Sequence, residues 1–144
     1  MSLGLCLGTK SSMSRDAAAR RVRTPVWGAI ARDHAAIQCF LSGIFPQTTP
    51  AEFRAALEEP SYRPADRLLI RRHSRIIAHA QTARRSLQLG AVQLPAGTLG
   101  AMATAEDMRG RGLGMHLLAA AERHLIERGA VVALLRTAVP YGAP

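Results

Sequence analysis

The residues with the most chemical promise stand in one run, Arg109-Gly110-Arg111-Gly112-Leu113-Gly114, directly ahead of a helical pattern from Met115 to Arg128. Glycines at alternate positions let a backbone bend where a Cβ would forbid it, and let its N–H groups approach an anion closely. The helix that follows turns its first amides toward the same place, and its dipole favours negative charge there. This arrangement suits the binding of a phosphate or pyrophosphate. Spacing excludes two familiar ways of doing so. No Gly-x-x-x-x-Gly-Lys-Ser/Thr occurs, and Gly110, Gly112 and Gly114 run G-x-G-x-G, whereas the dinucleotide fingerprint sets its third glycine one position later. What remains is Arg109-x-x-Gly112-x-Gly114.

The flanking elements must hold that loop. Leu117, Leu118, Ala121 and Leu125 fall at i, i+1, i+4 and i+8, with Gly114 near the start of the same face, so one side of the helix is apolar and packs on a sheet. Glu122, Arg123, Glu127 and Arg128 occupy the other side. Gly129 supplies a left-handed stop, Arg128 suits the negative end of the dipole, and Val131 to Leu135 reads as a buried strand. Upstream, Gly97 to Thr104 reads as a strand that ends in the turn Ala105-Glu106-Asp107.

Set between that strand and that helix, Arg109-x-x-Gly112-x-Gly114 resembles the acyl-CoA signature Gln/Arg-x-x-Gly-x-Gly/Ala of the GNAT N-acetyltransferase superfamily. The resemblance implies an acetyl-CoA-dependent N-acetyltransferase acting on an amine. Arg109, Gly110, Arg111, Gly112, Leu113, Gly114 and Met115 would then take the CoA pyrophosphate, and main-chain groups at Met102, Ala103 and Thr104 would align the pantetheine arm, an amide there facing the thioester oxygen. Leu94-Pro95, Ala103-Thr104 and Leu135-Arg136-Thr137 look like the enhanced-intracellular-survival subgroup of amine acetyltransferases.

Composition sets the bounds. A chain of 144 residues builds one core. Nearly half the residues are apolar but few are aromatic, so that core consists of Ala, Leu, Ile and Val. The net charge of +9 is almost wholly arginine, Lys10 being the only lysine. Such a field attracts CoA, but the arginines are scattered and no aromatics interleave with them, which disfavours nucleic acid. Cys6 and Cys39 form neither a disulfide framework nor a zinc pattern and fit a reducing cytoplasm. His116 and His124 lie eight apart without metal partners, and His79 reads as a core histidine. No metal, signal peptide or membrane span is expected.

Residues 1–19 lack a sustained period and are expected to be a disordered lead to a domain over residues 20–144. A first strand, Arg20 to Val26, closes at Trp27-Gly28. Asp33 caps a helix through Phe45, and Thr49-Pro50-Ala51-Glu52 opens a second with a capping box. Arg67 to Arg71 and Arg75 to Thr82 form a hairpin about Arg72-His73-Ser74. Ser86 to Leu89 and Ala91 to Leu94 continue as short extended pieces, and Pro95-Ala96-Gly97 turns into the strand at Thr98. The expected fold is α/β, a GNAT-like mixed, mostly antiparallel sheet flanked by helices, with the final strand beside the fourth.

Members of that superfamily continue past the fifth strand with a helix and a strand pair that close the acceptor pocket and often supply a tyrosine acid. This sequence stops at Pro144, so the expectation is a domain incomplete at its C-terminus, weak or inactive as an enzyme, with a bare sheet edge open to self-association. Tyr141 falls near the place of that acid. The expected fourth strand carries no carboxylate, and Glu106 and Asp107 read as a solvated turn and cap, so no general base stands out. A non-catalytic CoA-binding fragment or interaction module is the alternative.

Overall fold

The computed structural model describes the backbone of residues 2–6 and 24–137 and the side chains of residues 24–135. Among the described residues six strands form one sheet: β1 (Ser2–Cys6), β2 (Trp27–Gly28), β3 (Arg67–Arg72), β4 (Arg75–Leu89), β5 (Val92–Thr104) and β6 (Val132–Thr137). Their spatial order is β1-β6-β5-β4-β3-β2. All neighbours are antiparallel except β5 and β6, which the crossover helix α3 (Leu113–Glu127) joins in parallel. Helices α1 (His34–Ile44) and α2 (Pro50–Leu57) cover the opposite face. From β2 onward the order of strands and helices is the expected one.

Two cores result. Against α3 lie Leu68, Ile70, Ala78, Ala80 and Leu99 with Leu117 and Ala121; against α1 and α2 lie Leu69, Ile76 and Ala103 with Ile37, Leu41 and Phe53. The alternation along β3 sorts its residues to the two faces. Between Ile70–Ala78 and Arg71–Ile76 the register shifts, making Ile77 an extra residue of β4. Ile77 therefore joins Ala78 in the α3 core rather than sharing a face with His79.

Several expected boundaries move. Ser2–Cys6 is not a disordered lead but a strand whose register runs from Ser2–Thr137 to Cys6–Ala133 along β6. It covers the edge of β6 that was expected to be bare; residues 7–19 lie outside the described residues. Of the expected first strand, Arg20 to Arg23 lie outside the described residues as well, and pairing is confined to Trp27 and Gly28. The short pieces from Ser86 to Leu94 belong to one long hairpin, β4–β5, which turns at Gly90 with φ 58°. Pro95 lies inside β5 opposite Ser86 and does not turn the chain. A proline is tolerated there because β6 pairs with β5 only from Ala96 onward, leaving one flank without a strand partner.

Local chemistry accounts for the helix ends. Thr49 and Glu52 form the reciprocal capping box of α2, with the Thr49 amide donating to Glu52 at 2.7 Å and the Glu52 amide donating to Thr49 Oγ1 at 3.2 Å. Asp33 precedes α1 but does not cap it. Its carboxylate accepts from the Ile30 amide at 2.9 Å and from Arg71 at 2.7 Å, closing the 3-10 turn Ala31–Asp33 and tying it to β3. At the C-terminus of α3, Gly129 has φ 86°; its amide donates to Ile126 O and that of Ala130 to Leu125 O, the paired closure that a left-handed glycine permits. Asp66, almost fully buried, accepts from His124 and Arg128, both at 2.9 Å, and so binds this end of α3 to the approach of β3.

Gly97 shows how closely α3 sits on β5. A Cβ there would lie 2.5 Å from Leu125 Cδ2 and 2.9 Å from Leu125 Cδ1. Leu125 is itself buried, so Gly97→Ala must shift it or the helix. A loss of about 1 to 3 kcal/mol in urea unfolding is expected, the usual cost of overpacking.

Candidate functional site

The loop ahead of α3 has the backbone that its composition calls for. Gly110 and Gly112 adopt φ 75° and 76°, in the left-handed region, and Gly112 is the N-cap of α3. Added Cβ atoms at Gly110, Gly112 or Gly114 would meet nothing within 4 Å, so conformation rather than crowding requires glycine at the first two positions. The first bond of the helical ladder runs from the His116 amide to Gly112 O at 3.1 Å, so the amides of Leu113 and Gly114 precede it at the positive end of the dipole. Arg109 and Arg111 are exposed beside them. This donor set suits a diphosphate.

Two contacts fix the loop against the sheet. Arg109 Nε donates to Thr104 O at 3.3 Å, joining the loop to the last residue of β5. In the intervening 3-10 turn, Glu106–Met108, Asp107 accepts two hydrogen bonds of 2.8 Å from Arg75, whose guanidinium holds the Asp107 carboxyl below its usual range. Asp107 is thus engaged by Arg75, a partner that its reading as a solvated turn did not include. His116 and His124 also have structural partners, the carbonyl of Thr24 at 2.6 Å and Asp66.

Met102, Ala103 and Thr104 lie where β5 leaves β6. The parallel pairing extends from Ala96–Val132 to Leu99–Leu135 and no further, while β5 continues to Thr104. On its other side β5 carries one extra residue between the pairs His79–Ala103 and Gln81–Gly100. The bulge includes Ala101 at φ 46°, a left-handed conformation that costs a residue with a Cβ about 1 to 2 kcal/mol. Nothing in the spacing of the sequence singles out Ala101; the bulge exists only in the pairing of two strands.

What holds the bulge is His79, which is fully buried. Arg67 Nη1 lies 3.3 Å from His79 Nε2, and His79 Nδ1 lies 2.8 Å from Ala101 O. An arginine can only donate, so Nε2 accepts and Nδ1–H donates to Ala101. Burial pushes the pKa of His79 down to about 4, outweighing the opposing hydrogen bond to the Ala101 carbonyl, and the Arg67 charge adds a smaller effect in the direction of burial. Arg67 Nε also donates to Tyr62 Oη at 3.3 Å, and Tyr62 Oη in turn shares a hydrogen bond with His34 Nε2 at 2.8 Å. Burial raises the pKa of Tyr62 and lowers that of His34, so both stay neutral near pH 7.

The match with known proteins follows this geometry. A family model for the acetyltransferase (GNAT) domain matches residues 31–141. The chain belongs to the GNAT acetyltransferase family. A putative acetyltransferase from Agrobacterium tumefaciens shares its fold at 19% identity, with TM-score 0.61 over 83% of this chain and 84% of that one. A GCN5-related N-acetyltransferase from Kribbella flavida does so at 16% identity and TM-score 0.69, over 80% of this chain but 30% of its own length. An aminoglycoside N-acetyltransferase solved in complex with CoA does so at 13% identity and TM-score 0.65, over 79% and 76%. A search of curated proteins finds no significant match. Tyr141 lies outside the described residues, and among the described residues no group of His, Cys, Asp and Glu is placed to hold a metal and no helix is long and apolar enough to cross a membrane.

The depressed His79 pKa has a consequence for stability. Unfolded, the imidazole binds a proton below its ordinary value of 6.5; folded, it stays neutral down to about 4. Its contribution is therefore complete above pH 6.5 and is lost progressively as the pH falls toward 4, by roughly 3 kcal/mol in all. Urea unfolding between pH 7 and 4 should show this loss, and His79→Gln should flatten the slope.

Proposed function

We propose that residues 20–144 form an acyl-CoA-binding domain that transfers the acetyl group of acetyl-CoA to an amine. One observation carries the reading: the left-handed glycine loop at the start of α3 is tied through Arg109 to the end of β5, at the point where β5 and β6 part. The loop from Arg109 to Met115 takes the pyrophosphate, with Arg109 and Arg111 adding charge. Met102, Ala103 and Thr104 lie along the pantetheine arm, where a backbone N–H of β5 polarises the thioester carbonyl. The amine nitrogen attacks that carbon. A C–N bond forms, the C–S bond breaks, the thiolate leaves with the electron pair, and the proton lost by the nitrogen is returned to sulfur. Tyr141 is proposed as the acid for that return. The likeness of Leu94-Pro95, Ala103-Thr104 and Leu135-Arg136-Thr137 to the enhanced-intracellular-survival subgroup supports that subgroup as the nearest within the family.

Gly114→Asp separates binding from folding. An added Cβ at Gly114 meets nothing within 4 Å, and a carboxylate in the first turn of a helix interacts favourably with the dipole. The same charge repels a diphosphate. Calorimetry should show CoA binding to the native chain and a dissociation constant raised about tenfold or more in the variant, a change of about 1.4 kcal/mol, with the melting temperature unchanged or higher. Absence of CoA binding by the folded native chain would overturn the reading. Gly112→Val is the less informative change, because a β-branched residue at φ 76° strains the fold itself.

A further inference from the structure

A cavity of about 110 Å³ lies between the sheet and helices α1 and α2. Leu41, Phe45, Phe53 and Ala56 give it apolar walls, Arg67 and Gln81 stand on the sheet side, and Ala101 lies at its β5 end. By the liquid volume of water, roughly 30 Å³ a molecule, it holds three or four waters, the size of a carboxylate on a short carbon stem.

Arg67 is the unusual member. It is 1% exposed, yet it has no acidic partner among the described residues. Its hydrogen-bond acceptors are Tyr62 and His79, both neutral, and its guanidinium stacks 4.5 Å from the Phe53 ring centroid. Asp66, next in sequence, points to the other face and serves His124 and Arg128. Asp33 serves Arg71, and Glu52, at the cavity's edge, is taken up by the Thr49 cap. His34, on α1, is neutral. A buried cation without a counter-ion is costly, and one that borders a cavity is a ready seat for an anion.

Resting on the acetyl-transfer reading above, we propose that this cavity receives the carboxylate of the acceptor, so that the enzyme acetylates a carboxylate-bearing amine of amino-acid type with an apolar side chain. The carboxylate pairs with Arg67, the apolar stem meets Phe45 and Phe53, and the amine, one carbon from the carboxylate, is turned toward the bulge at Ala101 and the Met102 segment beyond it. Arg67 is a specificity-determining residue in this scheme. A polycationic amine is repelled by the same charge and by the net charge of +9.

The test compares L-leucine with isoamylamine, the same molecule without its carboxylate. NMR titration of the full chain without CoA reads the carboxylate contact independently of any acetyl transfer, and calorimetry with CoA reads the cofactor loop separately. Leucine should bind about tenfold or more tightly than isoamylamine, as a charge-assisted pair requires, with shifts at Phe53, Gln81 and Ala101. Arg67→Lys should reduce the preference and Arg67→Gln abolish it. With acetyl-CoA, kcat/KM should follow the same order, with neamine, a polycationic amine, below both. Equal binding of leucine and isoamylamine, binding of neither at millimolar concentration, or preferential binding of neamine would each overturn the proposal, and each is read on the native chain even if the Arg67 variants do not fold.

Discussion

The hydrogen bond from His79 to the carbonyl of Ala101 holds the central part of this molecule in place. β5 is the strand on which everything meets: β4 pairs on one side, β6 on the other, α3 crosses one face, and α1 and α2 cover the other. A strand so placed would ordinarily stay flat and paired along its length. One extra residue bends it instead, and a bend with Ala101 at φ 46° persists only because its carbonyl has a fixed, buried donor. Beyond the bend β5 no longer runs with β6, and its backbone groups at Met102 to Thr104 are released from that ladder.

Fixing the donor requires more than a histidine. Either nitrogen of a neutral imidazole can carry the proton, and a carbonyl is served only if Nδ1 does. Arg67 settles the tautomer by donating to the other nitrogen, and its own second donation runs through Tyr62 to His34. Burial keeps both imidazoles neutral, since a charge on either would face the guanidinium in a medium of low dielectric. The result is a polar chain beneath α1 and α2 in which every partner of the one full charge is neutral.

The other half of the site is built on a different principle. The glycine loop offers backbone amides and a dipole rather than a placed side chain, and its fixing depends on Arg109 reaching Thr104 and on Arg75 gripping Asp107. Both contacts tie the loop to the sheet near the bulge of β5. In this GNAT-family chain the glycine loop and the bent strand are thus mechanically joined over a few residues, while Asp66 holds the far end of α3.

Sequence alone determined what depends on near neighbours. The run from Arg109 to Gly114, the capping box at Thr49 and Glu52, the apolar stripe of α3 and its stop at Gly129 are each decided within one or two turns of chain, by φ preference, side-chain reach or helical period, and each was legible for that reason. The family followed from these and from the order of elements. Tertiary structure alone decided the rest. Pro95 looks like a turn until β6 is seen to pair with β5 only from Ala96 onward; Ile77 changes face because β4 holds one residue more than β3 there; Asp33 leaves its helix because Arg71, far along the chain, competes for it. Arg67, His79 and Ala101 are separated by 12 and 22 positions and follow no motif. Their meeting is a matter of strand register, and register is set by which faces are buried across the whole sheet, a quantity that no local window of sequence contains.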